Sequence, residues 1–193
     1  MKKLLSIFLL LISFSLWSQN NCLDFDGNDD YINISNINLN GMTQISFEAW
    51  VKPFSFNPQA GDDYISNLIG YENADALLRI GDNHPGVLQD NDRPQFVINT
   101  SSGIQKCNAT TELSANNWYH IAGTYDGSNI KIYVNGILET TQSHTGSIVT
   151  SQTTFILGGQ LTSAISPEDP PKAGRQHRRQ KKYSATHFLA ARS

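Results

Sequence analysis

An all-β, antiparallel fold is predicted by three observations within Trp118 to Gln142, WYHIAGTYDGSNIKIYVNGILETTQ. Ile130, Ile132 and Val134 alternate with Lys131 and Tyr133, the period of two expected of a strand with one buried and one wet face. Asp126-Gly127 and Asn135-Gly136 stand at the two ends of that strand. Asn-Gly is the strongest short hairpin signal, because Gly accepts positive φ without a Cβ clash and Asn tolerates it. The segment therefore reads as three strands and both turns of a meander.

The wording NWYHIAGTYDGSNIKIYVNG resembles the central segment of LamG-like jellyroll domains, members of the concanavalin A-like lectin/glucanase group. Leu23 to Ile34 (LDFDGNDDYINI) resembles the first strand and turn of that family, Ile45 to Pro53 (ISFEAWVKP) its next core strand, and Phe155 to Gly159 (FILGG) also fits. The resemblance spans most of Cys22 to Gln160. It implies an antiparallel β-sandwich of jellyroll type, two sheets face to face, and a secreted binding or adhesion module rather than an enzyme.

The chain opens with Lys2 and Lys3, an apolar run from Leu4 to Trp17, and Ser18 before Gln19. This reads as a signal peptide over residues 1–18, because the run is shorter than the roughly 20 apolar residues a membrane-crossing helix needs. An exported protein with no membrane span after cleavage is expected. Removal leaves about 170 residues, enough for one sandwich with its own core, assigned to residues 19–160. Cys22 and Cys107 are the only cysteines, and in an oxidising compartment an even pair suggests one bridge; two unpaired thiols are the alternative. Such a bridge contributes roughly 4 to 5 kcal/mol in the chain-entropy account.

Charge is uneven. From Gln19 to Asp169 five basic residues face seventeen acidic ones, a net of -12, whereas Lys172 to Arg192 holds seven basic residues and no acidic one. An acidic exported body disfavours nucleic acid and anionic membranes, and suits cations or neutral glycans. Residues 161–193 form a basic tail with Pro167, Pro170 and Pro171, and lack the closing strand that family members carry after their Gly-Gly. Proline cannot donate to a strand ladder and charge runs are usually solvated, so a disordered tail is expected, either native or produced by a disturbed reading frame.

Catalysis is not favoured. Glycoside hydrolysis needs two carboxylates about 5 to 10 Å apart, and the E-x-D-x-x-E pattern of glucanase relatives is absent. Glu48 is the single carboxylate of the strand Ile45 to Lys52, sharing its face with Ser46, Trp50 and Lys52. Asp24 and Asp26 run into a turn, and Glu72 and Asp75, three apart, do not share a strand face. No G-x-S-x-G elbow occurs, and His120, beside Trp118, Ala122 and Thr124, reads as packed or hydrogen-bonded.

The resemblance implies Ca2+ as a cofactor, and hard cations take oxygen ligands. Asp90 and Asp92 are the candidate pair, alternating ahead of the strand Gln95 to Asn99. A glycan surface needs aromatic area beside a few polar groups, for which Tyr64, Tyr71, Asn73 and Asn83 are candidates. Trp50 and Trp118 belong to the family-like strands and are assigned to structure. The expected function is binding of carbohydrate or an extracellular protein. A glycoside hydrolase relative and a fragment without independent function are the alternatives.

Overall fold

A computed structural model of the protein describes residues 22–25, 31–54, 66–70, 75–81, 92–158 and 183–191. The described strands are β1 (Leu23–Phe25), β2 (Ile32–Ser35), β3 (Ile45–Pro53), β4 (Ser66–Gly70), β5 (Ala76–Ile80), β6 (Pro94–Thr100), β7 (Gly103–Asn108), β8 (Tyr119–Tyr125), β9 (Asn129–Val134), β10 (Ile137–Ser143), β11 (Thr154–Leu157) and β12 (Tyr183–Ala191). They form two antiparallel sheets, ordered β1-β12-β3-β8-β9-β10 and β2-β11-β4-β5-β6-β7. This is the jellyroll sandwich the sequence predicts. No helix among the described residues is long and apolar enough to cross a membrane.

Alternation builds the first sheet. Ile45, Phe47, Ala49 and Val51 of β3 are buried, while Ser46, Glu48, Trp50 and Lys52 point outward. The register pairs Gly123 with Ile132 and Tyr125 with Ile130, so the inward residues of β8 and β9 share one face. Both turns carry the expected chemistry. Asn135 and Gly136 have φ of 52° and 78°, the left-handed pair that the β9–β10 turn requires. Asp126 Oδ1 accepts hydrogen bonds from the amides of Ser128 (3.0 Å) and Asn129 (2.7 Å), which hold its carboxyl below the usual range, helped by Lys131.

The core lies between the sheets. Phe47 meets the rings of Phe96 and Phe155 edge-on, at 5.7 and 5.4 Å between centroids. Edge-to-face packing sets the positive rim of one ring against the negative face of the other. Thus β3 is pinned to β6 and β11 of the opposite sheet.

The end of the chain departs from expectation. Tyr183 to Ala191 form β12, which lies between β1 and β3: Tyr183 stands opposite both Phe25 and Pro53, and Leu189 opposite Glu48. The run YSATHFLAA has no Gly or Pro and includes Tyr, Thr and Phe, residues that fit a pleated surface. The dense charge just ahead of it obscured this strand in the sequence. Within the described residues β1 joins its sheet through β12 alone.

The expected bridge is also corrected, for both thiols are free. Cys22 precedes β1, one edge of the first sheet, whereas Cys107 sits on β7, the edge strand packed against β9 and β10 at the other side of the sandwich. A bridge needs Cα atoms within about 7 Å. Cys107 Sγ instead faces the carbonyls of Ile130 and Thr140 at 3.7 and 3.6 Å. Burial pushes its thiol up to about 11, which makes it a packed, unreactive group.

Candidate functional site

The outward face of the first sheet gathers aromatic and charged side chains. The β3–β8 register sets Trp50 directly opposite His120 and Glu48 opposite Ala122, and on β9 Tyr133 stands opposite Ala122. The Trp50 and His120 rings lie 5.3 Å apart, and His120 Nε2 lies 3.5 Å from Glu48 Oε2. Trp118 lies two residues before His120, one step past the last β3–β8 pair, at the end of that ladder. Trp50 is 43% exposed and Trp118 42%. An indole this open in mid-sheet offers flat apolar area to a ligand.

Glu139, on the edge strand β10, is occupied differently. It accepts hydrogen bonds from the amides and hydroxyls of both Thr110 and Thr111. Burial pushes its carboxyl up, but those four bonds outweigh it and hold the group below the usual range. Asp75, at the start of β5, accepts from Asn99 Nδ2 at 3.2 Å and Thr150 Oγ1 at 2.8 Å. Both carboxylates fasten loops to strands.

The outward face of the second sheet carries a polar row. Asn67 pairs with Arg79, Arg79 with Gln95, and Gln95 with Asn108, so one line of side chains crosses four strands. Their chain neighbours Leu68, Leu78, Phe96 and Cys107 fill the core, which turns the row away from it by the alternation of strand side chains. Arg79 is nonetheless only 6% exposed and Gln95 0%. Arg79 Nε donates to Gln95 Oε1 at 2.7 Å.

Of the residues singled out in the sequence, Tyr64, Tyr71, Asn73, Asn83 and Asp90 lie outside the described residues. Asp92 occupies a turn ahead of β6 with φ of 60°, and its carbonyl accepts from Leu113 N at 3.0 Å. Among the described residues no group of three His, Cys, Asp or Glu stands close enough to hold a metal. His120 is packed and paired as its strand position predicts. The assignment of Trp50 and Trp118 to structure alone does not fit their exposure. Parity signalled this in the sequence, since Trp50 alternates in phase with Glu48 and Lys52 rather than with Phe47 and Val51. The Asn67–Arg79–Gln95–Asn108 row had only Arg79 as a signal, a charge inside the apolar run ALLRI.

Two packed antiparallel sheets of this order define a lectin-type sandwich. The chain belongs to the concanavalin A-like lectin/glucanases superfamily, whose laminin G model matches residues 26–170; β12 lies beyond the matched stretch. Three solved structures share the fold. The botulinum neurotoxin serotype D binding domain is 15% identical with a TM-score of 0.56, over 88% of this chain and 38% of that one. Domains LG4-5 of the mouse laminin α1 chain are 12% identical with a TM-score of 0.58, over 86% and 41%. A Bacteroides ovatus protein described as a candidate carbohydrate binding protein is 19% identical with a TM-score of 0.58, over 89% and 45%. The chain thus spans about two fifths of the length of these three structures. No curated protein matches it.

Proposed function

We propose that this chain is an exported, non-catalytic binding module that takes carbohydrate on the outward face of its first sheet. The carrying observation is the open indole of Trp50, set against His120, which is itself paired with Glu48. A sugar ring presents one apolar face and a rim of hydroxyls; an indole covers the first, and a carboxylate–imidazole pair hydrogen-bonds the second. Hydrolysis by two carboxylates is less favoured, because Glu48 has His120 as its near partner where a second carboxylate would be needed. The Bacteroides ovatus neighbour supports the ligand class, and the leader-like residues 1–18 support export.

The chain has three tryptophans, Trp17 in the leader segment and Trp50 and Trp118 on this face. Indole fluorescence of the body from Gln19 onward therefore reports on the face directly. Titration with neutral oligosaccharides is expected to quench it. Trp50→Ala is expected to weaken binding by about 2 kcal/mol, roughly thirtyfold in Kd, as removal of a central aromatic anchor does. An unchanged Kd in both Trp50→Ala and Trp118→Ala would sink the assignment.

Ca2+ at Asp90 and Asp92 is part of the same proposal, on the chemistry of those residues. Their oxygens suit a hard cation, and the positive-φ turn at Asp92 leads into β6. Calcium is expected to raise the thermal midpoint of the wild-type protein, since a ligand of the native state stabilises it by mass action. The Asp90→Ala, Asp92→Ala double variant is expected to lose that rise. A rise that survives both changes rejects the pair.

A further inference from the structure

Resting on the carbohydrate reading of the same face, we propose that the ligand is an extended, neutral glycan chain that runs across the strands of the first sheet, and that Tyr133 and Leu138 hold the part of it that extends beyond Trp50. The register places these contacts. Glu48 stands opposite Ala122, Ala122 opposite Tyr133, and Tyr133 opposite Leu138, so the four occupy one row from β3 to the edge strand β10. Residues directly opposite one another in antiparallel strands lie on the same face, and Glu48 alternates with the buried Phe47 and Ala49, which makes that face the outward one. Trp50 and His120 form the neighbouring cross-strand pair. The indole of Trp50 is therefore followed, past the single methyl group of Ala122, by a phenol ring and by a leucine that is 48% exposed.

Spacing and charge set the ligand class. Adjacent strands stand about 4.8 Å apart, so the row from β3 to β10 covers about 14 Å. One sugar ring seated on Trp50 does not reach Tyr133 two strands away, whereas a chain of several rings does. Ala122 leaves the way between them low. The charged side chains that β3, β8 and β9 set on this face already have partners within the chain: Glu48 has His120 at 3.5 Å, Lys131 Nζ donates to Asp126 Oδ2 at 3.2 Å, and Lys52 Nζ lies 5.8 Å from the centre of the Phe54 ring. An exposed apolar row whose charges are occupied suits sugar rings and hydroxyl groups rather than carboxylates or sulfates.

Calorimetry with gluco-, xylo- and manno-oligosaccharides from disaccharide to hexasaccharide reads the length dependence, with oligogalacturonates as the charged counterpart. Affinity is expected to rise with length in a neutral series. Tyr133→Ala and Leu138→Ala are each expected to weaken the hexasaccharide about tenfold and the disaccharide far less, as removal of one aromatic or apolar contact does; Trp50→Ala is expected to weaken every length. Tyr133→Phe keeps the ring and is expected to keep most of the rise with length. Leu138 is exposed on an edge strand, so its variant serves should Tyr133→Ala fail to melt cooperatively. Affinity independent of length, or a hexasaccharide affinity unchanged by both the Tyr133→Ala and the Leu138→Ala substitution, overturns the extended site and leaves Trp50 as a single-ring anchor. Tighter binding of the oligogalacturonates than of every neutral series overturns the neutral class. Absence of binding by any saccharide overturns the carbohydrate reading itself, and the extended site with it.

Discussion

Phe188→Pro is expected to lower the unfolding free energy by about 3 kcal/mol or more and to leave the remaining protein prone to association. Phe188 stands opposite Ala49 in the β12–β3 ladder, beyond the Tyr183–Ala185 stretch of β12 that β1 pairs. Proline has no amide to give to the β12–β3 ladder, and strand interiors tolerate it poorly. The consequence extends beyond one bond. β1 is attached to the first sheet through β12, so loosening β12 releases β1 and leaves β3 as a nine-residue open edge. Urea unfolding followed by Trp50 and Trp118 fluorescence, with gel filtration of the native protein, reads both effects. An unchanged midpoint and a monodisperse elution identical to wild type would show that β12 does not hold the sheet. Deletion of residues 183–193 is expected to reproduce the proline phenotype, since both remove the same ladder.

That strand also shows which parts of the molecule were legible in the sequence. The meander β8–β9–β10 was readable because its information is local: alternation sets each face, and Asp126-Gly127 and Asn135-Gly136 set each turn. β12 was hidden because its pairing partners lie 130 residues or more away in the chain and its own short apolar signal follows a dense run of Arg and Lys. Cys22 and Cys107 looked like a pair on number and compartment, yet pairing depends on which edge of which sheet each occupies. Trp50 carried its outward orientation in its parity, but the contact with His120 comes from the β3–β8 register, which no local pattern encodes. The Arg79–Gln95 contact likewise depends on a register between strands, its partners standing 16 positions apart in the chain.

Gly123→Ala is the second change expected to be severe, about 3 kcal/mol, the upper end for overpacking a core by one methyl group. Gly123 faces inward on β8, and a Cβ built there falls on the ring and Cβ of Phe96. Its backbone is ordinary strand and does not itself demand glycine; the space does. Phe96 cannot yield easily, because it is fully buried and its ring is set edge-on against Phe47, which in turn holds Phe155. The added methyl must therefore displace an interlocked aromatic group or part the two sheets. Phe96→Leu alone leaves a cavity and is expected to destabilise. Combined with Gly123→Ala, the smaller side chain makes room for the methyl, so the double variant should be more stable than the sum of the singles predicts, by about 1 to 3 kcal/mol. Simple additivity in chemical denaturation would mean that Gly123 and Phe96 are not in contact, and that the sheets are spaced differently at β6 and β8.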